Sequence, residues 1–161
     1  MAKMYGPKEC YAPIRENATQ VIISYDKVAD GKKNAYWHEV YFNKNRNAKP
    51  SLDQIKEAVL ADINQRVKAK IIGGFVWTGI NVWLSTENQM NFVQAIAPVT
   101  LKIGEYEEGE AVYQQFDTQE ELKAFADACI LWRQQCLQEG WQKKDSIDWS
   151  PYEKALEEQS K

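Results

Sequence analysis

One histidine, His38, and three cysteines, Cys10, Cys129 and Cys136, are the residues of this 161-residue chain best suited to nucleophilic or metal chemistry. A catalytic triad requires a nucleophile, a base and an acid that orients the base, and His38 is the sole imidazole available. It stands in the middle of a predicted strand beside Trp37, and no familiar zinc spacing links it to the scattered cysteines. Cys129 and Cys136 fall on one face of a predicted helix, about 10 Å apart along an axis that rises about 1.5 Å per residue. Bridged Cα atoms lie closer than about 7 Å, so the two do not form a disulfide within that helix. They are better described as small buried hydrophobes. An odd cysteine count without tight spacing points to reduced thiols in a reducing compartment.

Carboxylates are the remaining candidates. Glu105, Glu107, Glu108 and Glu110 crowd one turn, but the run lacks the alternating Asp and Asn ligands of a dedicated calcium loop. A run of like charge at a hairpin tip is expected to face water. The sequence holds no phosphate-binding Walker loop, no dinucleotide glycine pattern and no paired-histidine helix. The residues therefore predict a non-enzymatic protein with no catalytic residue, no cofactor and no metal site.

Contact chemistry is better represented. Six Trp and eight Tyr give large contact areas at low entropic cost, the composition favoured at protein interfaces. Trp37, Tyr41, Trp83 and Trp141 are the interaction candidates, as aromatic anchors able to bury against partner subunits or against copies of the chain itself. The net charge is -3, and the basic pairs Lys32-Lys33 and Lys143-Lys144 are isolated, so no nucleic-acid footprint is present. No apolar run approaches the roughly 18 residues that a membrane span needs. The stretch Met1 to Pro7 lacks an apolar segment of the secretory type, which predicts synthesis for the cytoplasm.

Hydrophobic residues at 44% and charged residues at 27% are ordinary globular usage, and the length suits one ordered domain. Residues 1–19 show no period and are expected to form an irregular arm. Val21 to Tyr25 and Ala35 to Phe42 predict two strands joined by a long loop over Asp26 to Asn34. Trp37 and Tyr41 point to one face of the second strand, and Tyr36, Val40 and Phe42 to the other. A helix over residues 51–71 opens on a capping box of Ser51 and Gln54. Leu52, Ile55, Val59, Ile63, Val67 and Ile71 form its apolar stripe, and Gly73-Gly74 ends it.

A two-residue turn at Thr78-Gly79 sets Trp77 opposite Ile80 and Phe75 opposite Val82. That register puts Phe75, Trp77, Ile80, Val82 and Leu84 on one face and Trp83 on the other. A short helix over residues 86–96 is expected to be capped by Thr86 with Gln89. Val99 to Ile103 and Ala111 to Phe116 predict a further strand pair. A long helix follows from Asp117 or Thr118, with Leu122, Phe125, Cys129, Trp132 and Cys136 as its stripe and Gly140 as its end. Ser150-Pro151 begins a short terminal helix. The fold class predicted is α+β: small antiparallel hairpins packed on two long amphipathic helices. Residues 1–49 form a β-rich N-terminal extension, and residues 50–161 form a helix–hairpin–helix–hairpin–helix core within one structural unit.

Three stretches carry a resemblance as a set: Trp37-His38-Glu39-Val40-Tyr41-Phe42, the segment from Gly74 to Gln89, and the segment from Cys136 to Trp149. The set is similar to uncharacterised proteins encoded by phages and prophages of gut Bacteroidales. From residue 50 onward, the layout of helix, hairpin, Ser85-to-Gln89 helix entry and long helix resembles a domain of unknown function found in phage tail and tail-fibre-associated proteins. The resemblance implies a virion or tail-associated structural protein, made in the bacterial host cytoplasm. Its partners would be other virion or tail proteins, or further copies in a homo-oligomer, with neither nucleic acid nor membrane among them. That family is not known for a catalytic residue, so no site is carried over. Two other functions stay open: a glycan-binding accessory protein using exposed aromatics, and a cytoplasmic tail-assembly chaperone.

Overall fold

The computed structural model describes residues 3–45, 48–105 and 109–158. They have an α+β fold in two compact units. Unit one takes the chain up to Ile63 together with Lys143 onward, and unit two runs from Asn64 to Gln142. Two helices, α1 (Leu52–Gly73) and α3 (Gln119–Asp145), contribute residues to both.

Unit one is built on an antiparallel sheet of β1 (Lys3–Pro7), β2 (Ile14–Glu16), β3 (Gln20–Asp30) and β4 (Asn34–Asn43), in the order β1-β4-β3-β2. The arm expected to be irregular thus supplies both edge strands, joined through a 3-10 turn at Lys8–Cys10. Strand β1 pairs far along the chain, with Met4 opposite Trp37 on β4, whereas β2 forms a short hairpin with β3, with Ile14 opposite Ile23 and Glu16 opposite Val21. Pro7 is tolerated because an edge strand need not donate every N–H to the ladder.

The long loop expected between the central strands is also absent. Strand β3 continues to Asp30, past a register shift between Tyr25 and Val28. At that bulge Asp26 adopts φ 56°, a left-handed conformation that Asp tolerates better than most residues. A short terminal helix, α4 (Ser150–Glu158), completes the unit.

The start of α1 follows its sequence signal. Ser51 N–H donates to Gln54 Oε1 at 3.0 Å, and Gln54 N–H donates to Ser51 Oγ at 3.2 Å, the reciprocal capping box. Ile55, Val59, Ile63 and Ile71 of the apolar stripe are buried.

Unit two carries a second antiparallel sheet, β5 (Phe75–Trp77), β6 (Ile80–Val82), β7 (Val99–Glu105) and β8 (Ala111–Phe116), in sequential order. The register Phe75 to Val82 and Trp77 to Ile80 is the one required by a two-residue turn, in which Thr78 and Gly79 take φ 47° and 84°. Helix α2 (Thr86–Gln94) begins one residue earlier in capping terms than expected. Ser85, not Thr86, accepts from the Asn88 N–H, at 3.2 Å, while Gln89 Nε2 donates to the Leu84 carbonyl. Thr118 and Glu121 cap α3 reciprocally.

Gly140 does not end α3, which runs on to Asp145. It is a close-approach glycine: a Cβ there would come within 2.5 Å of Val67 Cγ2. The core of unit two gathers Val82, Leu84, Phe92, Ile103, Phe116 and Phe125, with Leu122 and Cys129 from the predicted α3 stripe. Full burial of each large side chain contributes about 1.5–3 kcal/mol.

Candidate functional site

The four aromatic candidates part company in the structure. Trp37 is only 4% exposed, so it has no free face to offer a partner. Its indole lies beside Gly6, meets Tyr11 edge-on at 6.0 Å between ring centres, and donates through Nε1 to Glu39 Oε1 at 2.8 Å. Pairing of β1 with β4 covers this residue, and that pairing was invisible in an arm without periodicity. Tyr41, Trp83 and Trp141 are exposed, by 55%, 46% and 55% respectively. Tyr41 belongs to unit one, Trp83 and Trp141 to unit two.

Trp83 has company on its face of the sheet. Phe75, Trp77, Ile80 and Val82 face the core, so the pleat turns Val76 and Trp83 outward. On β8, Val112 is buried and its neighbour Tyr113 faces out, opposite Lys102. Val76 is 64% and Tyr113 66% exposed. The outer face of this sheet therefore sets three large apolar side chains among the polar residues usual for an open face, with Asn81 opposite Val76 and Lys102 opposite Tyr113.

The residues singled out for chemistry are not drawn together. Cys10 is exposed, whereas Cys129 and Cys136 are buried and free. Burial pushes the Cys129 thiol up to about 12 and, as the leading cause, raises that of Cys136, so neither is a nucleophile at neutral pH. Glu105 pairs with Lys102 at 2.8 Å. Glu107 and Glu108 of the acidic turn lie outside the described residues. Among the described residues, no group of three or more His, Cys, Asp or Glu side chains is placed to hold a metal ion. No helix among them is long and apolar enough to cross a membrane.

His38 does belong to a cluster, one not foreseen in the sequence. Its Nε2 lies 3.7 Å from Asp26 Oδ2, and the same oxygen accepts from Lys143 Nζ at 2.6 Å. Beside this pair, unit one holds a cavity of about 330 Å³ lined by Tyr11, Tyr25, Asp26, Lys27, Lys143 and Tyr152, among others. The phenols are donors in fixed directions. Tyr11 and Tyr152 both donate to the Ser24 carbonyl, at 3.1 and 2.8 Å, and Tyr25 donates to the buried Asp62. Burial is the main cause that raises Tyr11 and Tyr152 above the ordinary phenol value, so both stay protonated through neutral pH.

Only local clues pointed here: a turn-forming Asp26 after a β-branched run, and Ser150-Pro151 as the start of the last helix. The sequence distance between β3 and α4 hides their meeting.

No curated protein and no solved structure matches the chain. A family model described as Domain of unknown function (DUF4376) matches residues 54–159, from the first turn of α1 to the end of α4. With well over half of its length matched, this chain belongs to the DUF4376 family.

Proposed function

We propose that the chain is a phage-encoded structural protein of the virion, associated with the tail, that works through protein–protein contacts without catalysing a reaction. The observation that carries this is the outer face of the second sheet, where Val76, Trp83 and Tyr113 stand bare opposite a complete core. Large apolar side chains left in water cost about 25 cal/mol per Å² of exposed apolar surface, which burial against a partner recovers. Trp and Tyr are the residue types that most often anchor such interfaces. The resemblance of the Gly74–Gln89 and Cys136–Trp149 segments to proteins of phages and prophages of gut Bacteroidales supports the virion. Other tail proteins, or further copies of the chain, are the partners this face would bury against.

The test has two arms. Size-exclusion chromatography with light scattering should show self-association, or co-elution with a tail protein, that a double Trp83→Ser, Tyr113→Ser variant abolishes. Mass spectrometry of purified particles of the encoding phage should find the chain in stoichiometric amount. A strict monomer that is missing from the particle would sink the proposal. A chain that binds tail proteins in the host cytoplasm yet is missing from finished particles would instead be an assembly chaperone.

A further inference from the structure

The cavity of unit one lies at a distortion of the sheet. Tyr25, Asp26 and Lys27 are consecutive, and all three line it. A regular strand forbids this, because successive side chains point to opposite faces. The register shift between Tyr25 and Val28, with Asp26 at φ 56°, breaks the alternation and brings three neighbours to one space. Bulges of this kind re-aim side chains and concentrate near functional sites.

The opposite wall comes from the α3–α4 junction, with Lys143, Ser146, Asp148 and Tyr152. Two of the phenols, Tyr25 and Tyr152, are buried and held by hydrogen bonds to Asp62 and to the Ser24 carbonyl, so this part of the wall is pre-organised.

The charges at the cavity compensate one another. Asp26 is matched by Lys143 at 2.6 Å. Lys27 Nζ lies 4.6 Å from the centre of the Tyr11 ring and donates to the Lys8 carbonyl at 3.3 Å. Asp148 accepts from the Ser150 N–H at 3.0 Å and from the Ser150 hydroxyl. An anionic ligand would bring its charge up against two carboxylates, and a cationic one would meet two ammonium groups. A neutral molecule rich in hydroxyls suits both sets at once, since each hydroxyl accepts from an ammonium and donates to a carboxylate. A volume of about 330 Å³ falls within the range of small-molecule sites.

We infer that this cavity binds a neutral saccharide, through hydrogen bonds from Lys27 and Lys143 and to Asp26 and Asp148. Ring stacking has little part in it: Lys27 lies over Tyr11, and Trp37 meets that ring edge-on. The site is distinct from the exposed tryptophans and does not rest on the tail proposal. Tyr11, Tyr25, Asp26 and Lys27 lie before residue 54, so part of the site comes from outside the DUF4376 match.

Saturation-transfer NMR and calorimetry on the full chain test it. The neutral probes are methyl α-glucoside, methyl β-galactoside and N-acetylglucosamine, and the charged ones are glucuronate, glucosamine and inorganic phosphate. At least one neutral probe should bind in the millimolar range and more tightly than every charged probe. Lys27→Met and Lys143→Met should each weaken it about tenfold, the loss expected for a hydrogen bond to a charged group. Tyr41→Ser, on the same sheet but outside the cavity, should leave it unchanged. Where a methionine variant fails to fold, Lys27→Gln or Lys143→Gln takes its place. Absence of binding by all neutral probes, tighter binding of glucuronate, glucosamine or phosphate, or binding that survives both lysine substitutions would overturn the assignment.

Discussion

The interiors of the two units follow different physical rules. Unit two is dry: Phe125 stands at its centre with Phe92 and Phe116 each 5.1 Å away and Trp77 at 5.6 Å, ring centre to ring centre. Unit one places polar groups where unit two places rings, with Ser24 and Asp62 buried and phenols arranged to satisfy the Ser24 carbonyl and the Asp62 carboxylate. A dry core draws its stability from area and close packing, which are non-directional. A buried polar network is nearly neutral when complete and expensive when broken, so it fixes geometry more than it adds stability. The difference teaches where function is to be sought. A site needs directed polar groups on a fixed frame, and unit one has them.

The sharpest way to break the comparison is Phe125→Ala. The residue is fully buried in unit two, and truncating it opens a cavity among aromatic neighbours. Chemical denaturation should show a loss of about 3–5 kcal/mol. A loss under about 1 kcal/mol would mean that the ring cluster is not the principal support of its unit.

Tyr152→Phe asks the matching question of unit one and should cost about 1–2 kcal/mol near pH 7. The Ser24 carbonyl keeps its bond from Tyr11, which holds the loss toward the lower figure. The pH dependence separates this from a simple packing effect. Burial raises the folded-state value of Tyr152 above the ordinary 10.0. Below that pH the phenol is protonated in both the folded and the unfolded chain, and its contribution is complete. As pH rises beyond it, the unfolded chain releases the proton while the folded one retains it. Stability is then lost, by at most about 1.4 kcal/mol per pH unit for this group. Tyr152→Phe lacks that loss. Urea denaturation at about pH 8 and about pH 10.5 should therefore show the gap between variant and parent narrowing at the higher pH. A gap that stays the same would place the phenol in a solvated setting, and one that widens would place a cation beside it.

What was legible in the sequence divides along the same line. The α1 stripe from Ile55 to Ile71, the Ser51–Gln54 box, the hairpin register about Thr78-Gly79 and the α3 stripe all rest on local periods or on turn chemistry. Strands β1 and β2 left no such trace. Met4 of β1 matters only through Trp37, far along the chain, and β2 spans three residues, too few to show a period. Gly140 carried the composition of a helix stop, but the nearness of Val67 gives it another role. The polar cluster was the least legible part, because Tyr152 reaches the Ser24 carbonyl across 128 positions of sequence and a bulge has no pattern of its own. Just past β6, alternation alone turned Trp83 outward, so an exposed aromatic of unit two could be anticipated.

The smallest effect expected is that of Lys143→Met, and its size decides what the rim of the cavity is for. Lys143 and Asp26 are both solvent-accessible, their side chains 57% and 32% exposed. Exposed pairs of this kind contribute about 0–1 kcal/mol, because water screens the attraction and two flexible side chains must be held in one geometry. The Met side chain keeps most of the apolar stem of lysine, so packing changes little. Melting and denaturation should place the variant within about 1 kcal/mol of the parent, with the difference shrinking further in high salt. A larger and salt-resistant loss would make the Asp26–Lys143 contact a structural strut for the bulge. A small loss leaves the bulge held by the ladder and by the Ser24, Tyr25 and Asp62 network beneath it. The charged rim is then free to serve as ligand chemistry rather than as a brace.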